Sequence, residues 1–196
     1  IYASNLDEFY QVRVGSLYEM ASVDTNGFDN KSFMTPNQQL DKIFVATKQL
    51  NQKADKIFAT VEKQFKTYGI ERKKVKSLNQ KDKTYVKTYF DNQISPFLSP
   101  QIINVRHPFP HLLNKALYVG IILTRKKKKV FGIIPVPSNL PKIVYIPNKS
   151  KIRYVLKEDI IDKYEAEIFD GYEGEKTAIV SVVRRAEINW DVACAE

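Results

Sequence analysis

The sequence has 196 residues, of which 43% are hydrophobic and 27% charged, a balance typical of soluble globular proteins. No apolar run approaches the roughly 20 residues that a membrane-spanning helix needs, and Ile1–Leu6 lacks the basic and apolar regions of a signal peptide. Because the chain starts with Ile1 rather than methionine, we expect a segment of a longer protein. The single cysteine, Cys194, cannot form an internal disulfide, which fits a reducing compartment and predicts a cytoplasmic location.

The net charge of +9 is confined to the second part of the chain. Residues 1–70 contain 8 Lys or Arg and 8 Asp or Glu, whereas residues 71–196 contain 23 and 14. A basic part next to a neutral part favours a polyanionic partner. Nucleic acid, anionic lipid and polyphosphate satisfy that requirement equally.

The first predicted element is a helix that begins near Ser4 and Asn5, whose side chains can cap the free amides of a first turn. Asp7 and Glu8 would then lie where the helix dipole favours anions. Neighbours on a helix point about 100° apart, so these two carboxylates do not form an acid–base pair. Residues 21–34 lack periodicity and are predicted to form a loop.

A much longer helix is predicted to begin at Pro36, with Thr35 as its cap, and to end at Gly69. Apolar residues recur along it at helical spacing. At about 1.5 Å per residue this helix is roughly 50 Å long. It needs an antiparallel partner that the short first helix cannot supply, so we expect a missing element upstream of Ile1.

A basic joint, Glu71–Lys76, is predicted to separate the long helix from the rest of the chain. A third helix is predicted over residues 80–94, because Pro96 and Pro100 end it. The residues predicted to face inward from this helix are Tyr85, Val86, Tyr89, Phe90 and Ile94.

After Pro100 the pattern predicts strands rich in Val, Ile and Tyr, and one further helix over Lys157–Phe169. This order indicates an α+β fold with a mainly antiparallel sheet. We therefore divide the chain into an all-α N-terminal domain at residues 1–71 and an α+β domain at residues 72–196. The predicted strands are Ala116–Leu123, Val130–Val136, Lys142–Ile146, Lys151–Leu156 and Lys176–Glu187.

Residues that could carry catalysis are few. The sequence has no Gly-rich phosphate loop, no paired cysteines and no His-Glu-x-x-His spacing. His107 and His111 are four residues apart, but Pro108 and Pro110 prevent the helix that a metal pair at this spacing needs, and no third ligand is near. A rigid packed turn is favoured over a general base or a phosphohistidine. We predict no catalytic residue and no metal site in this chain.

Two groups of cations could bind phosphate, Arg125–Lys129 between two strands and Arg184–Arg185 near the last strand. A solvated hairpin turn and surface ion pairs are the alternative interpretations. The lack of interleaved aromatic residues argues against single-stranded nucleic acid. Asn5 also has two interpretations, a helix cap or a ligand contact at a helix N-terminus.

Three stretches resemble the polyphosphate kinase family, in the family's own order. Ile1–Tyr10 and Val12–Val14 are similar to the "SNLDEFF-VRV" signature of its N-terminal domain. Ile94–Pro100 and His107–Pro110 resemble the opening of its middle, or head, domain. Val182–Ile188 is similar to the "RVTRNADI" segment near the end of that domain. The family's leading "ELSWLEFN" helix has no counterpart here.

The resemblance implies an enzyme that reversibly transfers the terminal phosphate of ATP to polyphosphate. It implies that the phosphorylated histidine, the magnesium site and most ATP contacts belong to two C-terminal domains that this sequence does not include. The chain alone is therefore expected to be inactive and to hold no bound cofactor. The Asn of the "SNLDEF" motif falls on Asn5, which the resemblance assigns to ATP binding. It also implies a homo-oligomer formed through the head domain, allows peripheral membrane association of the parent protein, and implies no nucleic-acid partner.

A function of another class is kept as the alternative. The basic second part could act as a stand-alone module that binds polyphosphate or nucleic acid. Its contacts would be Lys73–Lys76 and Arg125–Lys129.

Overall fold

The computed structural model describes residues 1–23, 27–104 and 109–183. Its contacts divide the chain into two compact units, residues 1–60 and residues 61–182. The last turns of the long helix thereby group with the second unit, and the predicted domain boundary after residue 71 stays a prediction. None of the described helices is long and apolar enough to cross a membrane.

The first unit is helical in its regular structure. Helix α1 (Tyr2–Phe9) continues through a π-helical segment (Tyr10–Val14) into α2 (Gly15–Val23). After a loop that includes residues 27–35, the long helix α3 (Pro36–Thr67) begins. The small core of this unit consists of Val14, Leu17 and Leu40, with Tyr10 and Ile43 packed against it.

The predicted start of the first helix is wrong. Helix α1 begins at Tyr2, and the amide of Asn5 already donates to the carbonyl oxygen of Ile1 at 2.9 Å. No side chain caps this end, and no acidic residue lies in the first turn. The predicted cap at Asn5 and the predicted dipole role of Asp7 and Glu8 are therefore wrong, because all three residues lie within the helix rather than at its start.

Helix α3 begins and ends as the sequence predicts. The Gln38 amide donates to Thr35 Oγ1 at 3.3 Å and the Thr35 amide donates to Gln38 Oε1 at 3.0 Å, which is a reciprocal capping box. At the other end Gly69 has a φ of 75°, a left-handed conformation that favours glycine. Along the predicted apolar stripe Leu40 is buried, but Leu50 is 47% exposed. Side-chain contacts of α1 and the π-helical segment with α3 reach as far as Asn51, about halfway along the helix.

The second unit contains two sheets. The three-stranded sheet has the order β1 (Ile70–Arg72), β6 (Ile152–Leu156), β5 (Ile143–Ile146), with β1 parallel and β5 antiparallel to β6. The four-stranded sheet is antiparallel, in the order β2 (Gln101–Ile103), β4 (Lys128–Pro135), β3 (Leu117–Arg125), β7 (Glu173–Ser181). The α+β class with mainly antiparallel pairing is confirmed. Strands β1 and β2 were not predicted, because three residues are too few to show an alternation.

The helices of the second unit are shorter than predicted. Helix α4 (Gln80–Tyr89) gives way to a π-helical segment (Phe90–Ile94), so the predicted helix over 80–94 changes its hydrogen-bonding pattern near its end. The helix predicted over Lys157–Phe169 is broken at Tyr164 into α5 (Lys157–Lys163) and α6 (Glu165–Ile168). Single 3-10 turns lie at Val75–Ser77 and Ser95–Phe97.

One apolar cluster joins the helices and both sheets of the second unit. Val86, Phe90 and Ile94 are at most 2% exposed and recur every four residues, so they form one inward stripe. Tyr85 lies one residue outside that stripe and is 40% exposed, so the prediction that it faces inward is wrong. The buried members contributed by strands and α5 are Val119, Ile121, Leu123, Ile134, Val144, Ile146, Val155, Ile160 and Ile161.

A lysine is buried at the edge of this core. Lys157, the first residue of α5, is 3% exposed, and its Nζ donates to the carbonyl oxygens of Leu140, at 2.9 Å, and of Pro137. Burial lowers the pKa of this amine. The two carbonyl contacts tie the chain between β4 and β5 to the start of α5.

Candidate functional site

The side chain of Asn5 lies in a cleft between two helices of the first unit. Tyr2, Leu6 and Phe9 of α1 line it together with Asn5, and α3 contributes Ile43, Ala46, Thr47 and Leu50. The cleft has a volume of about 380 Å³. Because Asn5 does not cap the helix, its exposed amide group is available as both a hydrogen-bond donor and an acceptor.

Two hydrogen bonds between side chains hold α1 and the π-helical segment against α3. Tyr2 Oη donates to Asn51 Oδ1 at 2.9 Å, and Tyr10 Oη donates to Thr47 Oγ1 at 3.0 Å. The cleft lining includes no Lys or Arg. This site can therefore supply an amide and apolar surface, but no positive charge for a phosphate group.

A larger cavity in the same unit surrounds Arg13. It has a volume of about 730 Å³ and is lined by residues of α2, the following loop and the start of α3. Arg13 Nη2 donates to Gln39 Oε1 at 2.9 Å, and Gln39 Nε2 donates to the carbonyl oxygen of Met34 at 3.3 Å. Asp29 also lines the cavity, and hydrogen bonds from Ser32 lower the pKa of its carboxyl group. Arg13 and Gln39 are 26 residues apart, so no local pattern in the sequence indicates this pair.

The basic segment Arg125–Lys129 lies at the connection between β3 and β4, as predicted. Lys129 Nζ and Thr124 Oγ1 both donate to the Glu175 carboxylate of β7, each at 2.6 Å. These hydrogen bonds lower the pKa of Glu175. The Arg125 guanidinium lies over the Tyr172 ring, 5.3 Å from its centre.

The predicted basic joint is neutralised in part by its own carboxylate. Glu71 accepts from Lys151 Nζ at 2.8 Å and pairs with Lys73 Nζ at 2.5 Å. The hydrogen bonds from these two lysines lower the pKa of Glu71 to about 2. Next to it, Arg72 pairs with Asp159 of α5 at 2.9 Å.

Several of the sequence candidates lie outside the described residues. These are His107, Arg184, Arg185 and Cys194, and the roles predicted for them stay predictions. His111 is described and exposed. Within the described ranges, no three His, Cys, Asp or Glu side chains are grouped as metal ligands would be.

Comparison with protein-family models matches both parts of the chain. Residues 1–73 match the polyphosphate kinase N-terminal domain, and residues 81–196 match the polyphosphate kinase middle domain. A solved structure, the polyphosphate kinase from Porphyromonas gingivalis, superposes with a TM-score of 0.79 at 23% identity, over 96% of this chain and 28% of that one. At this identity the superposition establishes the fold.

Curated relatives give the same assignment. A polyphosphate kinase from Bacillus cereus is 33% identical over 203 residues, and one from Exiguobacterium sibiricum is 34% identical over 192 residues. Both alignments take in 96% of this chain but only 28% and 27% of the relatives, so the chain spans little more than a quarter of their length. With both domain models matched in order, the chain belongs to the polyphosphate kinase family, within its N-terminal and middle domains.

Proposed function

We propose that this chain supplies the N-terminal and middle domains of an enzyme that reversibly transfers the terminal phosphate of ATP to polyphosphate. The observation that carries the proposal is the ordered pair of family matches, at residues 1–73 and 81–196. Its contribution is a nucleotide contact and a surface for self-association, while the chemistry of phosphoryl transfer belongs to other parts of the longer protein.

Asn5 is the residue that we propose contacts ATP. Asn5 is exposed, and its side-chain amide group has no hydrogen-bond partner among the described residues. The surrounding cleft is mainly apolar and lacks cations. These features favour a contact with an uncharged part of the nucleotide rather than with its phosphates.

Phosphoryl transfer itself needs cations that stabilise the developing charge and a nucleophile held in line. The described residues do not bring such a set together: Arg13 is bonded to Gln39, and the cations of the β3–β4 connection lie in the other unit. A magnesium site has no fitting group of ligands here either, within the described part of the chain. The proposal therefore places these functions in the rest of the protein.

We also propose that the second unit takes part in self-association. Strand β7 is an edge strand of the four-stranded sheet, and all nine of its residues are exposed. An edge strand presents unpaired N–H and C=O groups that can pair with another chain. The cytoplasmic location and the peripheral membrane association stay predictions.

Substitution of Asn5 tests the nucleotide contact. In the full-length enzyme, Asn5→Ala should lower kcat/KM for ATP by about tenfold, mainly through a higher KM, because one hydrogen bond to the nucleotide is lost. Steady-state rates of polyphosphate synthesis with ATP varied give both constants. Asn37→Ala is the matched control, because Asn37 is an exposed asparagine at the start of α3 that does not line the cleft. If both variants keep the wild-type constants, Asn5 does not contact ATP.

In the alternative, a stand-alone module that binds polyanions, the contact at Lys73–Lys76 would depend mainly on lysines other than Lys73. Lys73 is paired with Glu71, and the same carboxylate also binds Lys151. At the β3–β4 connection, by contrast, most of the cations form no ion pair with a carboxylate of the described residues.

A further inference from the structure

Four consecutive cations, Arg125–Lys128, form the tip of the β3–β4 hairpin, and we call them the basic tip. Arg125 ends β3 and pairs with Lys128, which begins β4, so the turn consists of two residues only. Lys126 has a φ of 49° and Lys127 a φ of 65°. Positive φ at both central residues is the mark of a type I′ turn.

This turn is built from residues that do not favour it. Type I′ turns prefer Asn-Gly, Asp-Gly or Gly-Gly, because a side chain with a Cβ is strained in the left-handed region. Two adjacent lysines incur that strain and also repel each other. The turn is exposed, so Asn or Gly would fit there without a clash. The presence of two strained lysines instead points to a function of their side chains.

The charges of the hairpin are separated between its two faces. Lys129 and Thr124 lie opposite each other in the ladder and share Glu175, so the cation on that face is neutralised. Side chains alternate along a strand, which places Arg125 and Lys128 on the other face. Among the described residues, the four cations of the basic tip make no ion pair with a carboxylate.

The chemistry around the basic tip selects one kind of polyanion. Proteins that bind single-stranded nucleic acid combine cations with aromatic rings on which bases stack. The aromatic ring in contact with the basic tip, that of Tyr172, already carries the Arg125 guanidinium. The tip also has no apolar side chain that could enter a lipid surface. The basic tip therefore supplies four cations but no free aromatic ring on which a base could stack.

We propose that the basic tip binds inorganic polyphosphate, a chain of phosphates without bases. The proposal rests on the proposed function for the identity of the polyanion, and on the hairpin geometry for the place where it binds. The phosphate chain runs across the turn and the unpaired face, where it displaces condensed counterions.

The test replaces the strained turn with the residues that suit it. Lys126→Asn/Lys127→Gly removes two cations and should keep or raise the melting temperature, since Asn-Gly favours a type I′ turn. Titration of this chain with long-chain polyphosphate, at several salt concentrations, should show an affinity at least about tenfold weaker at low salt. The slope of log K against log salt should be shallower by about 1.4, which corresponds to two lost phosphate contacts.

Two control variants separate position and charge from turn geometry. Lys53→Gln/Lys56→Gln removes the same charge from exposed positions of α3 and should leave the polyphosphate affinity nearly unchanged. Lys126→Arg/Lys127→Arg keeps the charge in the strained turn and should bind as the wild type does. An unchanged affinity and slope for Lys126→Asn/Lys127→Gly, or an equal loss for the α3 variant, would overturn the proposal.

Two further probes distinguish the polyanions. Single-stranded RNA of matched charge and phosphatidylserine vesicles should bind more weakly than polyphosphate; tighter binding of either through the basic tip would reject the assignment. The titration needs no ATP and no turnover. A negative titration would therefore reject the polyphosphate site but not the proposed ATP contact of Asn5. A negative Asn5→Ala result would reject the ATP contact but not the polyphosphate site.

Discussion

Several side chains in this protein bind partners that are distant in the sequence. Glu71 in β1 binds Lys151, which is 80 residues away and precedes β6, and so reinforces the parallel pairing of the two strands. Arg13 and Gln39 make a similar link between the π-helical segment and the start of α3. In each case the two partners are far apart in the sequence, and only the fold brings them together.

The pairing of Glu71 predicts a pH dependence of stability. Its pKa falls from 4.5 to about 2 because Lys151 and Lys73 donate hydrogen bonds to the carboxylate. A lowered pKa in the folded state means that the stabilisation is fully present above pH 4.5 and is lost as the pH falls towards 2. The melting temperature of Glu71→Gln should therefore lie below that of the wild type near neutral pH, and the difference should vanish between about pH 4.5 and 2.

Thermal denaturation at a series of pH values measures this difference. Glu8→Gln is the matched control, because Glu8 is an exposed glutamate of α1 with no ion pair among the described residues. Its difference from the wild type should not follow the same pH course. A Glu71→Gln deficit that persists at pH 2 would assign the loss to packing rather than to charge.

At the scale of elements, the ends of the long helix were the most predictable feature. Thr35, Pro36 and Gly69 act through contacts within a few residues of themselves. The helix ends can therefore be predicted from the local sequence without knowledge of the fold. The start of α1 was misplaced for the opposite reason. Ser4 and Asn5 have the composition of a cap, but the backbone upstream of them is already helical.

The capping box of α3 gives a prediction at this scale. Thr35→Ala should destabilise the first unit by about 1 kcal/mol, because Oγ1 no longer accepts from the Gln38 amide. Loss of helical circular dichroism on heating or in urea reports the change. Thr35→Ser keeps a hydroxyl acceptor and should recover most of the stability. If the alanine and serine variants melt together, the hydroxyl does not stabilise α3.

The strands show where a periodic pattern stops being informative. The longer strands β3 and β4 were predicted within two residues of their ends, because runs of this length that are rich in Val, Ile and Tyr favour strands. The predicted last strand was placed three residues late, at Lys176 instead of Glu173. The short strands β1 and β2 leave no such pattern, and they exist because β6 and β4 offer edges to pair with.

At the scale of the whole molecule, the chain contains two units and little more than a quarter of its relatives' length. Assayed by itself with ATP and polyphosphate, the 196-residue chain should release no ADP above a protein-free blank, since no set of groups for phosphoryl transfer is assembled in its described part. The full-length enzyme under the same conditions is the positive control. Circular dichroism confirms that the assayed chain is folded. Measurable polyphosphate synthesis would place the catalytic groups within this chain.

The sequence by itself determined the helix ends of α3, the longer strands, the α+β class and the family, because caps, runs rich in Val, Ile and Tyr, and the "SNLDEF" motif are local signals. Only the tertiary structure decided which distant residues meet. It paired β1 with β6, placed Asn5 in an uncharged cleft, and paired Lys129 with Glu175, whereas the tip cations have no carboxylate partner in the described part of the chain. Such contacts arise from the packing of whole elements, and a one-dimensional pattern of residue types does not contain them.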